Sequence, residues 1–380
     1  MQTGKLLRTG ANLILGLLLI VSCEKQNPLT PPASTDPTNP KTTNLFPPPP
    51  LPFPPPIIRI WLTAPNPPLP PGGPLGGWKG RFSMASFTIT GKGYLVAGGI
   101  LDAANHQSTS SDMLCFDTAT HAWSQKASFP GYARTDMASF VANNQGYVCT
   151  GMGPNFSTPT TENWRYDPIQ NYWTRKTSFP GIARSFAVGA GLNGKGYVGT
   201  GAPSYGVADG GLSDWWQYDP VADHWTQKRD LPGSMGRWGA ASFANDQPGG
   251  KAYVTTGLQS IYGSGLGLGN GYAYDPASDT WSAMPVLNLP DTVPGRSYAV
   301  GLSTPEGGIV GTGYNGWNYN DFWMFSFATN SWSKLASIPG QRFMAQGFTI
   351  GPYIYVGGGV YGLGSNPPAP VNDFYSLYYW

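Results

Sequence analysis

The chain has 380 residues, of which 11% are charged and 14% aromatic, with 52 Gly and 38 Pro. That composition excludes a fold of long amphipathic helices, which needs sustained apolar periodicity near 3.6 residues, and suits many short strands joined by tight turns. The formal charge of +2 vanishes when Lys5 and Arg8 are set aside with the first 22 residues, so the remaining chain gives no overall electrostatic reason to expect nucleic acid or an anionic lipid surface as partner.

Residues 1–22 combine Lys5 and Arg8 with the apolar run Leu13–Val21, too short for a comfortable membrane span and followed by no stop-transfer pattern. They read as a secretory signal peptide. Its end, Ile20-Val21-Ser22-Cys23, resembles the bacterial lipobox, which implies cleavage before a lipidated Cys23; the alternative is an ordinary signal with an incidental cysteine. A lipid on Cys23 would hold the protein to a membrane without spanning it. Glu24 in place of Asp implies the outer membrane or periplasm, with the cell surface left open. Residues 23–56 are rich in Pro, Thr, Ser and Asn, including Pro47–Pro50 and Pro54–Pro56. Such a segment buries too little apolar surface to order itself and reads as an extended linker, or as a docking motif for a proline-reading domain.

From residue 57 to 380 a period near 50 residues emerges, marked by Trp123, Trp173, Trp225, Trp281 and Trp332. Each unit opens on an arginine (Arg81, Arg134, Arg184, Arg237, Arg296, Arg342). An apolar run ending in glycine follows, such as Gly98-Gly99, Thr200-Gly201 or Gly357-Gly358, where inner strands must approach closely. A variable loop then leads to a third strand ending in an Asp-Pro turn, replaced by Ser326-Phe327 in unit five, and to a fourth strand bearing the tryptophan. Four strands repeated six times resembles the kelch family, in a form similar in architecture to galactose-oxidase-like propellers and sialic acid mutarotases. The resemblance implies an all-β, six-bladed propeller spanning 57–380. Gly-Gly is complete only in the first and last units, Thr-Gly standing in elsewhere. Unit six stops one strand short, so Ile57–Leu62, with Trp61, is the expected donor of the missing strand; Trp78 is too near Arg81 for that role.

The loops after the second strands (100–111, 152–161, 202–213, 258–270, 314–320, 360–372) share a face with the arginines. They carry His106, Asn155 and Phe156, and the aromatic candidates Tyr205, Tyr262, Tyr314, Trp317, Tyr319 and Tyr361, suited to stacking on a sugar or packing against peptide. The arginines read first as scaffold, paired with Asp112, Glu162, Asp214, Asp321 or Asp373, with Asn270 replacing the acid in unit four; Arg134, Arg184 and Arg237 also stand as ligand-binding candidates. No metal or cofactor is called for: His121 and His224 sit two blades apart in turns on the face opposite His106, and Cys115 and Cys149 lie in different units as two buried or half-buried free thiols. Gly263–Gly271 lacks the following helix of a phosphate loop. The expected function is binding or scaffolding for a glycan or protein, with a carbohydrate-modifying enzyme such as a sialic acid mutarotase or epimerase as the alternative.

Overall fold

The computed structural model describes residues 60–69, 78–102, 107–156, 158–203, 211–233, 236–259, 267–287, 295–361 and 369–379. These all belong to the compact unit Pro56–Trp380. The proposed signal, Cys23 and the linker lie outside the described residues, as do His106, Tyr205, Tyr262 and the side chain of Asn155.

The unit is a propeller of six antiparallel blades, each with four strands from the axis outward. Blade 1 comprises Ala85–Ile89, Lys92–Asp102, Gln107–Asp117 and Ala122–Lys126. Blade 2 comprises Ala138–Ala142, Gln145–Cys149, Asn163–Asp167 and Tyr172–Lys176, and blade 3 Val188–Leu192, Lys195–Gly199, Trp215–Asp219 and His224–Lys228. Blade 4 is Ala241–Ala244, Ala252–Thr255, Gly271–Asp275 and Thr280–Ala283, and blade 5 Val300–Ser303, Gly307–Gly311, Phe322–Ser326 and Ser331–Leu335. Blade 6 is Gln346–Ile350, Tyr353–Gly357, Phe374–Tyr378 and, as its outer strand, Trp61–Ala64, which runs antiparallel to Phe374–Tyr378 with Trp61 opposite Leu377. Among the described residues the only helix is one turn at Pro154–Phe156.

Three rings of hydrogen bonds tie each blade to its neighbour. In the outermost, the indole of each outer-strand tryptophan donates to a carbonyl just past the outer strand of the preceding blade. Trp123 reaches Pro65, Trp173 reaches Ala127, Trp225 reaches Thr177, Trp281 reaches Arg229, Trp332 reaches Pro285 and Trp61 reaches Ala336, at 2.7–3.1 Å. The middle ring links the end of each second strand to the next blade, as where Gly151 N donates to Arg184 O at 2.9 Å and Gly359 N to Arg81 O at 2.7 Å. The innermost ring joins Ser83, Asp136, Phe186, Gly239, Tyr298 and Met344, each two residues past its arginine. Every member donates its N–H to the carbonyl of the previous one, at 2.7–3.4 Å. All six adopt left-handed backbone, with φ from 50 to 60°. That conformation is costly for Phe, Tyr and Met, and persists where the surroundings over-determine it.

Two expectations need correction. The doublet at the end of the second strand is Ala97-Gly98 in blade 1 and Gly358-Gly359 in blade 6, one residue off the expected pairs. Its first member is left-handed in every blade, at Ala97, Thr150, Thr200, Thr256, Thr312 and Gly358. Residues 100–111 are also not simply a loop, because blade 1 extends its second and third strands through much of that span, and Trp78–Phe82 pairs along the extension, with Arg81 opposite Ile100. Cys115 and Cys149 are buried and form no disulfide, and burial pushes the Cys149 thiol up to about 12.

Candidate functional site

In each blade the second strand returns to the face where the first began, so the loops after second strands and the crossovers from outer strands lie on one face with the arginines. The arginines themselves are inside. Arg134, Arg184 and Arg237 are 1%, 0% and 3% exposed. Arg184 shows the general pattern. Its Nη1 and Nη2 meet both oxygens of Asp214 at 2.5 and 2.7 Å, Nη1 also donates to the carbonyl of Thr200, and Nε donates to the carbonyl of Ile182. Arg81–Asp112, Arg134–Glu162, Arg296–Asp321 and Arg342–Asp373 repeat the ion pair. Burial works to raise the Glu162 carboxyl, but the bonds from Arg134 and Trp164 outweigh it and hold it below its usual range. Arg237 differs, having Asn270 in the acid's place.

The aromatic candidates divide. Trp317 in blade 5 is 78% exposed and Tyr361 in blade 6 is 48% exposed. Tyr314 is half-buried with its ring 5.8 Å from Phe343, and Tyr319 lies against the Arg296 guanidinium at 4.5 Å. Phe156 stacks on Phe82 at 6.3 Å. Two exposed side chains on this face escaped the sequence reading: Tyr132, 71% exposed, and Ile182, 60% exposed. Each sits two residues before its arginine and gives its carbonyl to that arginine's Nε, a role that could have been found by aligning the units on their arginines.

Along the axis a channel section of about 430 Å³ is lined by small and hydroxylated residues, among them Ser86, Ser139, Ser242 and Thr349. Toward the loop face it narrows at the innermost ring to a cavity of about 80 Å³, walled by Ser83, Asp136, Phe186, Gly239, Tyr298 and Met344. Phe186, Trp238 and Tyr298 pack against one another there at 5.3–5.5 Å. Asp136 is the single acid of the ring. Burial raises its carboxyl to about 6, against the stabilising bonds it accepts from Ser83 and Thr135. A carboxyl titrating there exchanges a proton near neutral pH. Among the described residues, no three His, Cys, Asp or Glu side chains gather closely enough to hold a metal.

The Asp136 shift has a sign. The unfolded carboxyl ionises near 3.8 and the folded one near 6, so the folded state holds the proton more tightly, and stability from this group is full at low pH and lost as pH rises through that window. The total is on the order of 3 kcal/mol. Asp136→Asn keeps the group neutral throughout, so its melting temperature should exceed that of the wild type increasingly from pH ~4 to pH ~7. Parallel melting curves across that range would show that Asp136 ionises without penalty.

No family model matches the chain, and no curated protein matches it. Solved structures do. The structure of YjhT aligns with a TM-score of 0.63 over 78% of this chain and 94% of its own, at 17% identity. At that identity the likeness is one of fold, and it closes the structural description: the chain is an all-β, six-bladed propeller with YjhT as a structural neighbour.

Proposed function

We propose that the protein is an exported, kelch-type propeller, anchored through a lipid on Cys23 in the outer membrane or periplasm, that binds a glycan or an exposed segment of a protein on its loop face. The observation that carries the binding reading is the exposure of Trp317 and Tyr361 in adjacent blades. Large rigid rings held in water cost solvation and contribute most when a partner covers them. Around Trp317 the loop supplies the partly exposed Asn315 and Asn320 and no charge. Amides beside an aromatic face match the hydroxyls of a sugar or the backbone of a peptide. The proline-rich 23–56 would serve as the spacer between membrane and propeller. A carbohydrate-modifying enzyme is less favoured, because five of the six arginines that would hold a sugar carboxylate are already closed by an acid of their own blade.

One experiment with two arms tests this. Glycan-array binding followed by calorimetry should find a ligand whose affinity falls at least about tenfold in Trp317→Ala, the loss expected of a central aromatic anchor, with the circular dichroism spectrum unchanged. A ligand bound equally well by Trp317→Ala and Tyr361→Ala would place the site elsewhere. In the second arm, Cys23→Ser should leave an uncleaved precursor or move the protein out of the membrane fraction.

A further inference from the structure

The six blade-opening arginines hold one register position, and five meet a carboxylate there. Arg237 does not. Its Nη1 donates to the carbonyls of Thr256 and Asn270 at 2.9 and 3.1 Å, its Nη2 to the Asn270 side-chain oxygen at 3.2 Å, and its buried Nε has no hydrogen-bond partner. The Tyr272 ring lies 5.5 Å away. Among the described residues no acid pairs with it. Nevertheless the side chain is as deeply buried as its paired counterparts, at 3% exposure. A buried cation with only neutral partners is a costly arrangement, since its desolvation is not offset by a counter-charge, and burial pulls this guanidinium down to about 10.

Blade 3 shows what the position accepts: Asp214 meets Arg184 through both oxygens. In blade 4 the residue in that place, Asn270, is exposed, so the side from which a carboxylate would arrive opens on solvent at the loop face. A carboxylate gripping both Nη1 and Nη2 would displace two neutral contacts to Asn270, its side-chain oxygen at 3.2 Å and its carbonyl at 3.1 Å.

We propose that Arg237 is an anion site that binds the carboxylate of a small ligand. The ligand supplies in trans the charge that the other blades supply from their own chain. A planar carboxylate matches the guanidinium fork in a way that chloride does not. The site stands independently of Trp317, which belongs to another blade.

The test is thermal melting of the full chain at constant ionic strength in sodium chloride, sodium acetate and sodium glucuronate, for the wild type and for Asn270→Asp. The wild type should melt higher in both carboxylates than in chloride, in a saturable way. Asn270→Asp places the missing acid in the chain. It should melt higher than the wild type in chloride, by about 2 °C or more, and lose the carboxylate-specific increment. A larger increment from glucuronate than from acetate assigns contacts to the sugar as well; equal increments assign the carboxylate alone. The proposal fails if the wild type responds to carboxylates no more than to chloride, if Asn270→Asp retains the increment, or if Asn270→Asp melts lower than the wild type. Calorimetric titration of glucuronate into both proteins tests the same site without relying on melting: the wild type should bind, and Asn270→Asp should bind at least tenfold more weakly.

Discussion

Deleting residues 57–64 should abolish the cooperative melting of the propeller rather than merely lower its midpoint. The outer strand Trp61–Ala64 is not an appendage to blade 6 but the seam of the ring. Its four residues pair with Phe374–Leu377. The Trp61 ring packs 4.8 Å from Phe322 in blade 5, and its indole donates to Ala336. Just beyond it, Pro65 accepts from Trp123 in blade 1, Asn66 accepts from the Phe374 amide, and the Pro68 carbonyl takes two bonds from Arg81. One segment therefore stitches three blades. Without it, blade 6 exposes the unpaired edge of Phe374–Tyr378, a template for association with other chains. A domain's whole margin is about 5–15 kcal/mol. The milder Trp61→Ala should alone remove about 2–3 kcal/mol, less than the loss of a fully buried aromatic because Trp61 is half-buried. The measurement is calorimetry or denaturant unfolding of both variants, with light scattering to detect association. A deletion variant that melts cooperatively near the wild-type temperature would mean that the ring closes without this strand.

The architecture was legible in the sequence because its strongest constraints are repeated six times. The tryptophan of each outer strand has a fixed hydrogen-bond partner in the preceding blade, so its spacing reports the blade period directly. The outer strand of blade 6 was legible for a similar reason: the β-rich segment ahead of the first unit carries Trp61, which bonds to the preceding blade as the other outer-strand tryptophans do. The strand extension in blade 1 was not. Residues 100–111 carry the polar composition of a loop, and what makes them strands is Trp78–Phe82 lying alongside, a tertiary partner that no local pattern reports. The doublet was misplaced by one residue because Gly98-Gly99 draws the eye, while the left-handed position is filled by Ala97, at φ 53°, and by threonine in four other blades. Composition predicts glycine there, and tertiary bonds override it.

At the candidate site the limits are of the same kind. Six aromatic residues looked equivalent as loop residues, but exposure depends on what each finds nearby: Phe343 takes Tyr314, the Arg296 guanidinium takes Tyr319, and Trp317 finds nothing to cover it. Asp136 carried no motif. It becomes visible only when the residues two past each arginine are placed side by side, where it is the sole acid among Ser83, Phe186, Gly239, Tyr298 and Met344. The absence of an acid opposite Arg237, in contrast, was readable as Asn270, though not its consequence, since the burial of the arginine had to be seen.

Between blades, a size rule at one register position leads to the other large effect. A residue of each second strand faces an inner-strand residue of the blade before it. Gly93 lies against Phe348, Gly146 against Phe87, Gly196 against Phe140 and Gly308 against Phe243, in each case so closely that a Cβ on the glycine would collide with the ring. In the remaining two blades the equivalent pairs are Ala252 with Ala190, in one core cluster, and Ile354 with Leu302, in another. Large faces none, small faces small, and medium faces medium, so the pair and not the single residue fills the space. Gly146→Val puts a Cβ where only 2.5 Å separates it from the Phe87 ring, and should destabilise by about 3 kcal/mol, the upper range of overpacking. Phe87→Ala should cost about 3–5 kcal/mol through the cavity it leaves. Combined, the two should fall short of their sum by about 1–3 kcal/mol, because valine then occupies the vacated space and favours the strand more than glycine does. Denaturant unfolding of the wild type, both single variants and the double variant measures this coupling. Strict additivity would show that Gly146 serves the strand's own backbone and not the ring beside it. A positive coupling would carry over to the three other glycine–phenylalanine pairs, and would make the alternation of ring and glycine, rather than the glycine itself, the device that sets the spacing of these blades.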